Sequence, residues 1–215
     1  MASTLVGERN VATFLSVVVV VGGYLLGSIP TGLLVVRAMT GKDVREIGSG
    51  RTGGTNVLRA AGIWATLLTV LGDGAKGLLA VWLARAVVGI PIVGALAGLL
   101  AVIGHNYSVF IGFKGGAGTA PTVGGAIGLW PWNGAILIVV GAAVLAATRY
   151  ASLGSISIAL LLPIILALRA WLAGAPWAYL LHGLGTAALT LWALRPNIQR
   201  LLERRERRMT LRKRA

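Results

Sequence analysis

The chain has no cysteine, two histidines and six acidic residues among its 215 positions. Without cysteine there are no disulfides, thiolate nucleophiles or cysteine-based zinc and iron–sulfur sites. Two histidines are too few for a multi-histidine metal centre, and neither a metal nor any other cofactor is expected. Charge is scarce as well: 12% of residues are charged, against roughly a quarter in an ordinary soluble domain. What fills the space is apolar, with 56% hydrophobic residues and a mean hydropathy of +0.82. These values exclude a water-soluble globule, a disordered tail and a coiled coil. The few charges are lopsided, 20 Lys and Arg giving a net charge of +14. A soluble nucleic-acid binder could carry that charge but not that hydropathy, so no nucleic-acid partner is expected.

Charges punctuate the chain and divide it into spans. Nothing ionisable lies in the 27 residues between Arg9 and Arg37, and about 20 suffice to cross a bilayer core. The first span is predicted over Val11–Val36; it is too long for a cleavable signal peptide, and no small-residue cleavage site follows. Further spans are predicted at Ile63–Leu83, Val87–Gly104, Trp132–Thr148, Ser152–Leu168 and Pro176–Leu194. Between the third and the fifth lies a short fourth helix, Thr119–Leu129, covering only about 17 Å at 1.5 Å per residue. Such a helix has to start part-way down, with irregular backbone lining a cavity. The fold class expected is all-α integral membrane, a seven-transmembrane-helix bundle. Residues 1–194 form the membrane domain, with motif loops 37–62 and 105–118, and residues 195–215 form a basic tail.

An odd number of spans places the termini on opposite sides. With the N-terminus outside and the C-terminus cytoplasmic, 16 Lys and Arg lie inside and three outside, as the positive-inside rule requires. Trp82, Trp130, Trp132, Trp171 and Trp177 then fall in one outer aromatic belt. Both glycine-rich loops, Gly48–Asn56 and Lys114–Gly118, face the cytoplasm. Each leads into a helix, where convergent backbone N–H groups and the helix dipole favour an anion. Their hydroxyls, amides and cations form a phosphate-binding set. For any single glycine, close helix packing is the competing reading. No Walker motif, no Gly-x-Ser-x-Gly elbow, no His-x4-Asp pair and no Asp-rich metal cluster occurs, so chemistry must rest on cations, amides and dipoles. Asp73 and Lys76, three apart in a span, are expected to pair.

The motifs Tyr24–Pro30, Gly48 through Asn56 to Arg59, Gly72-Asp73…Lys76-Gly77, Gly104–Tyr107 with Phe113–Gly116, Arg149–Ile156 and Asn197…Leu202 occur in one order along nearly the whole chain. This set resembles the membrane acyl-phosphate:glycerol-3-phosphate acyltransferases, the PlsY family. The resemblance implies a multi-pass protein of the bacterial inner membrane with its active site facing the cytoplasm. It implies transfer of a fatty acyl group from acyl phosphate to the 1-hydroxyl of glycerol 3-phosphate, giving lysophosphatidic acid and phosphate for phospholipid synthesis. By the same resemblance Ser49, Arg59, Ser152 and Asn197 contact glycerol 3-phosphate or the reacting phosphate. His105 is the one protein alternative to a substrate oxygen as proton acceptor, set against a purely structural role. Ser28, Gly50, Arg51, Thr55, Asn56, Asn106, Lys114, Gly115, Gly116 and Gly118 make up the remaining substrate- and phosphate-binding set.

Four positions depart from the family pattern. A loop Lys is Ala117, a His three places before Asn197 is Leu194, an Asn is Arg51 and a Pro is Ser108. Arg51 is expected to supply the cation missing at Ala117, since a guanidinium clamps phosphate bidentately. Two other functions fit parts of the pattern: a paralogue with altered or lost activity, and a membrane binding or transport protein for a small phosphorylated solute. The tail, with nine Lys and Arg and two Glu, places Ile198, Leu201, Leu202 and Met209 at roughly helical spacing. A basic amphipathic helix on the anionic cytoplasmic leaflet is expected there.

Overall fold

The computed structural model describes residues 2–209 and is entirely helical. Among the described residues there are eight α-helices: α1 Ala2–Ser28, α2 Thr31–Thr40, α3 Gly54–Val87, α4 Pro91–Asn106, α5 Thr119–Leu129, α6 Pro131–Thr148, α7 Ala151–Ala173 and α8 Tyr179–Leu202. Five helical stretches are long and apolar enough to cross a membrane: Arg9–Thr40, Gly54–Val87, Pro91–Ile111, Pro131–Thr148 and Ala151–Ala173. Short α5 has the predicted bounds.

The first span departs from expectation because Pro30 interrupts it. Proline has no N–H and clashes with the preceding turn, so α1 stops at Ser28 and α2 starts at Thr31. Two carbonyls exposed by the break find side-chain donors from elsewhere. Lys76 Nζ donates to Ile29 O at 2.8 Å, and Ser108 Oγ donates to Ser28 O at 2.5 Å. The serine that stands where the family has proline therefore closes a gap left by the helix break.

A second departure lies in α3. The region read as one loop, residues 37–62, is helical up to Thr40 and again from Gly54. Gly62, at φ 81° and ψ −170°, bends the chain sharply inside α3. That conformation is essentially reserved for glycine. The bend folds residues 54–61 back along the following turns. A Cβ on Gly54 would lie 2.8 Å from Val70 and 3.6 Å from Thr66, contacts a straight helix would place about 18–24 Å away. The first glycine loop is thus carried down into the bundle rather than lying over it.

Small residues let the remaining helices approach closely, as membrane interfaces favour. Gly23 and Gly27 of α1 sit on the carbonyls of Ala97 and Ala101 of α4, and Gly77 and Gly124 bring α3 and α5 into backbone contact. Gly74, near the middle of the 63–87 stretch, faces Ala120 at the start of α5. At the other end Arg85 donates to the carbonyls of Gly128 and Leu129. Short α5 therefore begins level with the middle of α3 and ends beside its C-terminus. Arg169 stacks on Trp130 at 3.6 Å at that same end.

The last helix and the tail also differ from expectation. Instead of ending at Leu194, α8 continues through Pro196 to Leu202. Met209 belongs to a non-helical segment that folds back on α7, so the predicted amphipathic helix covers only Ile198, Leu201 and Leu202. Residues 210–215 of the predicted tail lie outside the described residues.

No side chain would crowd the space at Gly62, so a Gly62→Ala change isolates the backbone cost. It is expected to lower stability by about 1–3 kcal/mol, read as a drop in thermal midpoint of the detergent-solubilised protein. An unchanged midpoint would contradict the bend.

Candidate active site

The motif residues form two adjoining groups at the end of the bundle opposite Trp130. In the first, α4 delivers His105 and Asn106, both buried, to the second glycine loop. The N–H of Gly116 bonds to His105 O at 3.1 Å. Gly115 packs on the His105 carbonyl and Gly116 on its imidazole, so neither position has room for a Cβ. Gly118, at φ 86°, starts α5, and a Cβ there would lie 2.9 Å from Asn106 Oδ1. Both amide atoms of Asn106 are buried without a protein partner. An unspent amide thus borders the N-terminus of α5.

Beneath this loop lies the expected Asp73–Lys76 pair, at 2.7 Å. The structure adds a third member: His105 Nδ1 is 3.5 Å from Asp73 and 3.4 Å from Lys76 Nζ. All three side chains are at most 5% exposed. Lys76 also reaches Ile29 O, so the triad ties the break in the first span to the second glycine loop. Ser28 joins the same knot: its hydroxyl donates to Tyr24 O at 2.8 Å, and it lines the space beside Gly104. The sequence pattern showed the i, i+3 pair but not the histidine, 29 positions away.

The second group is organised around Asn56. Its Nδ2 donates to the carbonyls of Val44, Ile47 and Arg51 at 2.8–2.9 Å, and its Oδ1 accepts the Ser49 N–H at 3.1 Å. Asn56, read from sequence as a phosphate ligand, spends its amide on folding the loop; a fully engaged, buried side chain has no donor left for substrate. Gly50 takes a positive φ in this loop, and Thr55 is half-buried in the first turn of α3. Ser49, Arg59 and Lys114 expose their side chains. Thr52 N contacts Gly115 O at 3.5 Å, joining the two glycine loops.

Arg51 is turned toward α8, where its guanidinium bonds to the Ala193 carbonyl. Burial, and then the charges of Arg200 and Arg195, depress its pKa below the ordinary arginine value. Leu194, where the family has histidine, is buried beside that contact. On the same side Ser152, in the first turn of α7, and Asn197 of α8 converge on one carboxylate, that of Glu206. Asn197 Nδ2 donates to it at 2.8 Å, Ser152 Oγ at 3.2 Å and Arg200 Nε at 2.7 Å. Arg59 lies within electrostatic reach of Glu206, Arg200 and Arg207. The sequence motifs do not single out Arg200 or Glu206 as members of this cluster. Arg200 was nonetheless legible, standing at i+3 from Asn197 and so on the same helix face.

These helices and loops define a class: a polytopic helical membrane protein whose one end gathers arginines, amides, a hydroxyl and two glycine loops. The sequence profile of the family described as glycerol-3-phosphate acyltransferase matches residues 17–204. A glycerol-3-phosphate acyltransferase of Syntrophomonas wolfei is 44% identical over 87% of this chain and 93% of its own. One from Desulforudis audaxviator is 44% identical over 93% of this chain and 98% of its own. The crystal structure of PlsY (YgiH), an integral membrane glycerol 3-phosphate acyltransferase, in its glycerol 3-phosphate form superposes with a TM-score of 0.84. It is 35% identical and covers 91% of this chain and 96% of that one. The lysophosphatidic acid form gives a TM-score of 0.80 at 34% identity over the same shares. The chain belongs to the PlsY-type glycerol-3-phosphate acyltransferases and is an integral membrane enzyme.

Two outcomes follow from the geometry. Replacing Asp73 by Asn strands the buried Lys76 charge, which is expected to cost about 3–5 kcal/mol and to appear as a lowered thermal midpoint. Burial opposes ionisation of Glu206, but the bonds from Asn197, Arg200 and Ser152 outweigh it and hold its pKa below the ordinary 4.5. A depressed carboxylate pKa stabilises the closed segment above the unfolded value, and that contribution is lost as pH falls through the folded value. Backbone exchange or proteolysis of residues 203–209 should therefore rise only as the pH drops below about 4.5.

Proposed function

We propose that this enzyme takes its acyl group from acyl phosphate and transfers it to the 1-hydroxyl of glycerol 3-phosphate. The observation that carries this reading is the convergence of Arg51, Arg59 and Arg200 with Ser152 and Asn197 beside two joined glycine loops. A glycerol 3-phosphate dianion and an acyl phosphate both demand such a cationic, donor-rich space. The 1-hydroxyl oxygen attacks the acyl carbonyl carbon, the carbon–oxygen bond to phosphate breaks, and the hydroxyl proton passes to a phosphate oxygen. Lysophosphatidic acid and phosphate leave. An acyl phosphate is already activated, so positioning and stabilisation of the developing charge lower the barrier without a protein nucleophile.

The residues divide the task. Arg59, Ser152 and Asn197 orient glycerol 3-phosphate, with Ser49 at the loop edge and Ser152 adding the N-terminal dipole of α7. Gly115, Gly116, Gly118, Asn106 and Lys114 hold the phosphate of the acyl donor at the start of α5. Arg51, between Gly115 and α8, supplies the cation that Ala117 lacks. His105, committed to Asp73 and Lys76, positions the loop rather than moving a proton. Seven segments cross a bacterial inner membrane, with α1 and α2 together forming the first. The N-terminus lies outside, and the site, its loops and the tail face the cytoplasm and its anionic leaflet.

Purified protein given acyl phosphate and glycerol 3-phosphate should form lysophosphatidic acid, whereas acyl-CoA should not serve; equal rates with acyl-CoA would overturn the donor assignment. Arg51→Ala is expected to reduce kcat/KM about 10- to 100-fold, the loss of a charged hydrogen bond of roughly 1.5–3 kcal/mol. Full activity in that variant would remove Arg51 from the site. Because the chain lacks cysteine, a single Cys at Glu203 or Ala175 reports sidedness cleanly. A membrane-impermeant thiol reagent should label Ala175→Cys in intact spheroplasts and Glu203→Cys only after permeabilisation.

A further inference from the structure

The segment after α8 reverses direction. Arg204 takes a positive φ of 57°, and the N–H groups of Arg204 and Arg205 bond to the carbonyls of Leu201 and Arg200. The chain then runs back to the start of α7, where Met209 N donates to Arg149 O at 2.7 Å and Arg208 reaches Tyr150. Residues 203–209 thus form a strap closed over the ends of α7 and α8. All but its first two residues lie beyond the 17–204 region matched by the family.

On the inner side of this strap is Glu206, whose side chain is only 7% exposed although most of the strap faces outward. Its Oε1 accepts from Asn197 and Ser152, and its Oε2 from Arg200. An amide, a hydroxyl and a guanidinium around two carboxylate oxygens are the donors a phosphate would use. Asn197 and Ser152 are also the residues assigned above to glycerol 3-phosphate. The Ser152 hydroxyl proton, the Asn197 N–H and the Arg200 Nε–H given to Glu206 are not available to a second anion at the same time. Glu203, by contrast, stands at the strap's outer start, half-exposed, paired with Arg205 and Gln199 and touching none of these donors.

We infer that the strap is an intramolecular competitor of the acceptor substrate: Glu206 occupies the anion place formed by Ser152, Asn197 and Arg200, and glycerol 3-phosphate enters by displacing it. The inference rests on the placement of glycerol 3-phosphate under "Proposed function". Its consequence is a reduced apparent affinity, because only the open fraction of the enzyme binds acceptor; a strap closed nine-tenths of the time weakens binding about tenfold. Acyl phosphate, held at the glycine loop, is not displaced by Glu206.

The test is a titration of glycerol 3-phosphate at saturating acyl phosphate, with lysophosphatidic acid as the readout. Glu206→Gln, and separately a chain ending at Leu202, should lower KM for glycerol 3-phosphate about three- to tenfold. In both, kcat should stay within about twofold of the parent. Glu203→Gln should leave KM unchanged, whereas a general effect of removing negative charge near the arginines would lower it as well. An unchanged KM in Glu206→Gln overturns the inference, and so does an equal shift in Glu203→Gln. A large fall in kcat at constant KM also overturns it, making Glu206 a positioning residue instead. Asn197→Ala separates the two levels: full activity there removes the acceptor site itself, while lost activity with an unchanged KM in Glu206→Gln leaves the site standing and removes only the strap.

Discussion

A break in a membrane helix leaves backbone carbonyls with no water to receive them, and much of this molecule is arranged around that constraint. Pro30 interrupts the first span. Lys76 and Ser108, from distant elements, supply donors to the exposed carbonyls. The ammonium brought in by Lys76 must itself be neutralised, which Asp73 does, and His105 completes the cluster. Because Gly115 and Gly116 pack directly on His105, the position of the second glycine loop depends on this chain of compensations. Three buried side chains therefore hold the helix break and the second glycine loop together.

The second organising element is a concentration of like charge. Arg51, Arg59, Arg195, Arg200 and Arg207 lie near one another at one end of the bundle, which is unfavourable in the absence of an anion. Burial of Arg51 sharpens that cost. An anion placed among them relieves it. In the present structure Glu206 takes that role.

Much of the architecture was legible because hydropathy and charge spacing act locally. Thr119–Leu129 is bounded by a glycine loop and by Trp130-Pro131, and its limits follow from those residues alone. Other features depended on contacts between distant residues. Gly62 sits in a stretch of good helix formers, and nothing local marks it as the point where the chain doubles back. Asn56 resembles a ligand in sequence because amides suit phosphates; only the positions of three carbonyls reveal that its donors are already taken. Glu206 is one of two carboxylates in a run of arginines, and spacing alone suggests a solvated helix face.

The sequence by itself determined the class of the protein, the two glycine loops and the family motifs, since apolar length, turn chemistry and residue identity are carried along the chain. The tertiary structure decided which of those residues remain available for chemistry. It engaged Asn56 with three carbonyls of the first loop, set His105 against Asp73, Lys76 and Gly116, left the amide of Asn106 unspent and turned the tail back onto Ser152 and Asn197. Hydrogen-bonding capacity is finite for each side chain, and how it is spent depends on neighbours that only folding brings within reach.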